Sequence, residues 1–214
     1  MHLPDGVLPL PVTLGGYLAS FLLAAWSIRR LRAARDPYRE VPRAALLTAA
    51  FFVASLIHFP LPPVSVHLLL NGLLGVILGW FAFPAILVGL FLQAVMFGHG
   101  GVTTLGINAL ILGLPALAAF ALFRLHTRLL PQRTPATMML FGFLAGAAAV
   151  ALSVLLFALL LLGHLPAHLD AELERKALHA LLLAYLPVIL LEGVATALLL
   201  RLLLRAHPEL LESA

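Results

Sequence analysis

Pro84-Ala85-Ile86-Leu87-Val88-Gly89-Leu90-Phe91-Leu92-Gln93-Ala94-Val95-Met96-Phe97-Gly98-His99-Gly100-Gly101 decides how this chain is threaded. The apolar run near 85–98 is short against the roughly 20 residues that carry a helix across a bilayer, so hydropathy alone admits either a tilted span or a re-entrant hairpin. Around it lie further apolar runs near 9–28, 44–59, 66–82, 102–123, 136–163 and 178–204. The basic residues decide between the two. Arg29, Arg30, Arg32, Arg35, Arg39 and Arg43 follow the first run, Arg124, Arg128 and Arg133 follow the fifth, and Arg201 and Arg205 end the seventh. These clusters share one side only if 85–98 crosses, and that side is then the cytoplasm. The expected fold is an all-α integral membrane protein: a bundle of seven transmembrane helices, N-terminus outside and C-terminus cytoplasmic, in one domain spanning 1–214.

Composition points the same way. With 63% hydrophobic and 10% charged residues and a mean hydropathy of +1.09, the chain is too apolar for a water-soluble globule of 214 residues. The net charge of +4 would mark a nucleic-acid binder if it lined one soluble face, but here it falls in short runs between apolar segments, so lipid is the expected partner and nucleic acid is not. Cysteine is absent, which excludes disulfides, thiolate metal sites and cysteine nucleophiles and leaves nitrogen and oxygen ligands for any transition metal. The threading places His2, His58, His67, His99, His164, His168 and His179 at the outer face, and His126 and His207 at the inner. The terminus, the Phe59–Val66 loop, the Gly98–Gly101 loop and the 163–178 loop are thus candidates to converge there.

The sequence opens Met1-His2-Leu3-Pro4-Asp5-Gly6, with an acid where a secretory signal would be basic. A bulky second residue disfavours removal of Met1, so a free α-amino group is expected in front of His2. That amino nitrogen, the deprotonated His2 amide and the His2 imidazole form two fused chelate rings and present three coplanar nitrogens. A fourth completes a square plane, the preference of Ni(II) and Cu(II) and within reach of low-spin Co(II), whereas Mg(II), Ca(II) and Mn(II) do not deprotonate an amide and Zn(II) prefers a tetrahedron. Pro4 and Gly6 favour an ordered turn over a loose tail, and Asp5 is placed to accept hydrogen bonds that steady it. His67 fits as the fourth donor; His58 and His99 compete for the place, His99 from a glycine-rich loop suited to lining a small cavity.

At these residues the sequence resembles the substrate-binding membrane subunit of energy-coupling-factor cobalt and nickel transporters, the CbiM/NikM family. The resemblance is carried by Met1-His2-Leu3-Pro4-Asp5-Gly6, by Ser65-Val66-His67-Leu68-Leu69, by Gly98-His99-Gly100-Gly101-Val102-Thr103-Thr104-Leu105-Gly106-Ile107-Asn108 and by Leu191-Glu192-Gly193. It implies a metal-binding segment at 1–8 and an outer pocket in which Met1, His2 and His67 hold Ni(II) or Co(II). It also implies a transmembrane coupling subunit, two ATPase subunits and a small additional membrane subunit as partners, in the plasma (inner) membrane. Cobalt-type members often read Met-Glu-Gly where this chain has Pro4-Asp5-Gly6, and Val64 departs from the Thr or Gly usual before Ser65; neither touches a ligand.

Glu192 stands near the middle of the last run, where a charge is costly, and marks either a pathway or a buried hydrogen-bond partner. Asn71, Gln93 and Asn108 read as polar links between helices, and Gly75-Xaa3-Gly79 and Gly142-Xaa3-Gly146 as close-packing motifs. No phosphate-binding loop occurs, so ATP hydrolysis is not expected of this chain. No His-Glu-Xaa2-His pair supports an intramembrane metalloenzyme either. The rival reading is a structural or scaffolding membrane protein without a metal ligand.

Overall fold

The computed structural model describes residues 2–33, 40–61, 64–129, 134–164 and 171–206. Helix α1 spans Leu10–Arg32 and α2 spans Val41–Leu56. A two-stranded hairpin follows, β1 His58–Leu61 and β2 Val64–His67, antiparallel with His58 opposite His67. Then come α3 Asn71–Leu78, a 3₁₀ turn Gly79–Phe81, α4 Ala82–Phe97, α5 Leu105–Leu129, α6 Pro135–Gly163 and α7 Ala171–Ala206. Pro11, Pro42 and Pro135 stand in the first turns of α1, α2 and α6, where a missing N–H leaves no hydrogen bond unmade.

Five stretches among the described residues are long and apolar enough to cross a membrane, with α2 a shorter apolar helix beside them. Residues 71–97 count as one such stretch by composition, but α3 and α4 fold back on each other within it. Gly75 packs against Ala116 and Gly79 against Phe120, so α3 runs alongside α5 in the same direction. Gly100, just past α4, lies against Asn108 and His2, so α4 has returned to the end from which α3 set out. The reversal hinges on Gly79, whose φ of 55° and ψ of −121° suit glycine far better than a residue with a side chain. α3, α4 and α5 form the buried centre. α1, α6 and α7 surround them and expose large apolar side chains such as Leu18, Phe21, Leu144, Leu159, Leu186 and Leu190 to the surroundings, which in water would be untenable and in lipid is the stable arrangement.

The structure corrects the expected boundaries at two places that bear on function. The third apolar run does not become helical at 66: residues through His67 belong to the hairpin, and α3 starts only at Asn71. Pro60, Pro62 and Pro63 deny this segment a helix, while the β-branched Val64 and Val66 suit a strand. The last helix begins at Ala171 rather than near 178, since a helix can run on beyond the apolar stretch that hydropathy marks. Arg30, Arg43 and Arg124 line a common cavity of about 170 Å³ with Trp80 and Phe120, so basic residues of the first two clusters gather at one end of the bundle. Arg35, Arg39, Arg133, His168 and His207 lie outside the described residues.

Candidate metal centre

At the opposite end of the bundle, three short irregular segments meet. The first is the N-terminal segment. The side-chain amide of Asn108 grips the Leu3 backbone on both sides, accepting from its N–H at 2.8 Å and donating to its carbonyl at 3.0 Å, and the Thr104 hydroxyl donates to that carbonyl at 2.6 Å. The Leu3 side chain is buried in the main core with Leu8. Two residues on, the Asp5 carboxylate accepts from the Val102 N–H at 3.2 Å and from the Thr103 N–H and hydroxyl at 2.8 and 2.5 Å. Gly101 is required here, because a side chain on it would occupy the space of the Asp5 carboxylate.

The hydroxyl of Thr103 above all, aided by the backbone N–H groups beside it, holds the Asp5 carboxyl below its ordinary pKa although desolvation works the other way. A carboxyl whose pKa is depressed by docking contributes its share above the ordinary carboxylate range and loses it as the pH falls through the lowered value. The dock is therefore expected to hold across neutral and mildly acidic pH and to loosen only below about pH 4. Hydrogen exchange at the Leu3 amide checks this: protection that is flat down to that range is the expected result, with Asp5→Ala losing it at every pH.

The second segment is Gly98–Thr104. Gly98 ends α4 in the left-handed conformation (φ 60°), its N–H returning to the Ala94 carbonyl at 3.1 Å and the His99 N–H to the Gln93 carbonyl at 3.1 Å. This glycine stop fixes the point at which His99 leaves the helix. The Tyr17 hydroxyl donates to the Val102 carbonyl and the Ser20 hydroxyl to the Gly106 carbonyl at 2.6 Å, tying the segment to α1. The third segment is β2, which delivers His67 into the interior, 1% exposed.

His2, His67 and His99 come together with their ligating nitrogens all within 4.8 Å of one another. The His2 and His67 rings lie nearly parallel, centroids 5.1 Å apart at 15°, and His99 stands steeply across both, at 4.5 Å and 66° from His2 and 5.8 Å and 78° from His67. With metal–nitrogen bonds of about 2.0–2.1 Å, small side-chain adjustments bring such a set onto one ion. The His67 Nδ1 lies 3.1 Å from the Leu68 carbonyl oxygen, which can only accept, so this nitrogen carries the proton and Nε2 keeps its lone pair for a ligand.

Of the residues singled out by sequence, His2, His67 and His99 form the cluster, and Asp5 lies beside it as the anchor of the terminus; Met1 is outside the described residues. Ser65 lies in β2 opposite Pro60. Asn71 is committed elsewhere: its amide donates to the Leu112 carbonyl at 3.0 Å and to the Ser153 hydroxyl at 2.8 Å, linking α3, α5 and α6. Glu192 accepts hydrogen bonds from the Leu69 and Leu70 backbone N–H groups. The 163–178 region sends no histidine into the cluster from its described part. The His164 ring donates to the Leu160 carbonyl on its own helix, and His179 lines a separate cavity with Leu155 and Leu159 between α6 and α7. Asn108 and Thr104 do more than the sequence reading allowed. Their four-residue spacing on the first turn of α5 was the available signal, since it puts two polar groups on one helix face.

The fold and this cluster together define a class: an integral protein of the plasma membrane that carries a cluster of imidazoles able to ligate a divalent transition metal. Residues 2–210 match the CbiM family, described as the cobalt uptake substrate-specific transmembrane region, and the chain belongs to that family. It is 37% identical over 211 residues to a putative metal transport protein of Haemophilus influenzae, covering 99% of this chain and 97% of that one. A fused nickel transport protein, NikMN, of Rhodobacter capsulatus is 38% identical over 133 residues, covering 60% of this chain and 38% of the fused one. Among solved structures, a truncated transition-metal transporter superposes with a TM-score of 0.73 over 98% of this chain and 99% of that one at 22% identity, a likeness of fold.

Proposed function

We propose that this protein is the substrate-specific membrane subunit of an ATP-driven uptake system and captures Ni(II) or Co(II) at the outer face of the membrane. The observation that carries the reading is the convergence of His2, His67 and His99 from three chain regions onto one point. Random interfacial histidines do not share a focus, and a scaffolding protein has no use for one. A terminal chelate through the His2 amide needs an amino nitrogen one peptide earlier, and the Met1 α-amino nitrogen is the companion donor proposed for it. The capturing set is then the Met1 amino nitrogen, the His2 amide and imidazole nitrogens and His67 Nε2, in a square plane. His99 flanks that plane, where it can receive an incoming ion or hold one in transit.

The end bearing Arg30, Arg43 and Arg124 is assigned to the cytoplasm by the positive-inside rule, with the histidine end outside, the N-terminus outside and seven crossings in all. The chain carries no phosphate-binding loop, so the energy comes from partners: a transmembrane coupling subunit, two ATPase subunits and a small additional membrane subunit. That one relative is a fused transport protein supports a multi-component assembly.

The test is accumulation of radioactive nickel and cobalt in cells that express this chain together with its genomic neighbours of those classes. Uptake that requires both this chain and ATP, and that falls to background with His2→Ala, is the expected result; uptake unchanged by His2→Ala would refute the capture site.

A further inference from the structure

The strand that carries His67 does not hand over directly to a helix. Residues 68–70 form an irregular arm between β2 and α3, and every residue of α3 is buried, so the helix begins inside the bundle rather than at its surface. The first N–H groups of a helix have no partner within it, and in lipid no water reaches them. Here the partner comes from α7. Glu192, 1% exposed, accepts from the Leu69 N–H through Oε1, and from the Leu70 N–H through both oxygens at 2.9 and 2.8 Å.

Two further features mark this as a held conformation. Leu70 is the one non-glycine residue with positive φ among those described, at 49°, a backbone state that leucine adopts only when its surroundings impose it. On the same face of α7, two turns from Glu192, Tyr185 is fully buried. α7 also packs directly on β2. The arm is thus held from one helix at residues 69 and 70, and that helix packs on the strand carrying the imidazole that the metal site needs.

We infer that Glu192 is a positioning residue for the metal site: its carboxylate fixes the 67–70 arm, and through it the depth and aim of His67, so that the fourth ligand is set by α7 rather than by the hairpin alone. This rests on the proposed role of His67 as a ligand. Glu192 contributes by holding backbone, and a polar side chain kept in the membrane interior for this purpose is matched by the N–H groups it accepts from. The arrangement also makes any shift of α7 against α3 a shift of His67, and so a means of loosening the ion.

A double-mutant cycle tests this on the full chain purified in detergent, with Ni(II) as the probe and both affinity and the nickel d–d spectrum as readouts. Glu192→Gln removes one acceptor oxygen and sets an amide N–H against the Leu70 N–H, from which both oxygens now accept. It is expected to lower affinity by on the order of tenfold, as for loss of an outer partner of a ligand, and to move the spectrum toward that of His67→Ala. In the His67→Ala background the same change is expected to alter affinity less than about twofold, because there is no ligand left to position. Where the glutamine variant fails to fold, Glu192→Asp keeps the buried acid but shortens its reach by a methylene, and the same pattern is expected. An equal loss in both backgrounds overturns the inference, since the residue would then act on the whole fold. No loss from Glu192→Gln or Glu192→Asp while His67→Ala does lose affinity also overturns it and leaves the metal site standing. No loss from His67→Ala itself refutes the site and the inference together.

Discussion

Replacing His67 with alanine is expected to lower the Ni(II) affinity of the purified protein by at least about 100-fold, because even the loss of an outer hydrogen-bond partner of a ligand costs about 10–100-fold and here the donor itself is removed. The position is specific. His67 is buried, its Nδ1 lies against the Leu68 carbonyl, and its ring is grouped with those of His2 and His99. A replacement such as His67→Gln keeps volume and a hydrogen-bonding group yet supplies no soft nitrogen, so it is expected to fail nearly as badly. Isothermal titration in detergent measures both variants, and a melting temperature within a few degrees of the parent shows that the loss is local. His164→Ala is the internal control: its ring is bonded to its own helix, and no change in affinity is expected.

Acetylating the α-amino group is expected to have an effect of similar size. A closed set of ligands binds a divalent ion with apparent free energies of about 10–16 kcal/mol, so one donor of four accounts for about 3 kcal/mol, or on the order of 100-fold. The blocked terminus still has the His2 imidazole, His67 and His99, so weak binding through imidazoles is expected to survive while the chelate is lost. The distinguishing sign is in protons: binding to the free terminus releases protons from the amine and the amide, and affinity therefore rises steeply with pH. After acetylation that slope is expected to flatten. An acetylated protein that binds with parental affinity and parental pH dependence would remove Met1 from the site.

The reach of the sequence can be judged from particular residues. Apolar runs lay out the helices because burial in lipid is set locally, and Arg30, Arg43 and Arg124 meet at one end of the bundle. The three clustered imidazoles could be picked out from the sequence for the same reason: each stands beside a proline- or glycine-rich turn at one end of an apolar run. The Glu192 link to Leu70 was not on it, nor the Asn108 grip on Leu3, because these join residues 122 and 105 positions apart and depend on helix rotations that periodicity does not specify. The β1–β2 hairpin was missed for a different reason. Three prolines within 60–63 read simply as a loop, and the preference of Val64 and Val66 for a strand takes effect only when His58–Leu61 lies alongside to pair with them.

The site also shows why the terminus needs so many anchors. A free N-terminus ordinarily frays, and a chelate built on it pays the full cost of ordering at the moment of binding. Leu3 in the core, Asn108 on its backbone and Asp5 on the Thr103 turn fix residues 2–5 in advance. Under the proposed function, an ion arriving at this end would then find the His2 backbone already held.

The most direct measurement is the electronic and magnetic state of Ni(II) bound one-to-one to the purified protein. The account predicts a diamagnetic, four-nitrogen square-planar ion, with the Met1 amine, the His2 amide and imidazole and the His67 imidazole as donors. A paramagnetic six-coordinate ion with oxygen ligands, unchanged when the terminus is acetylated, would contradict it.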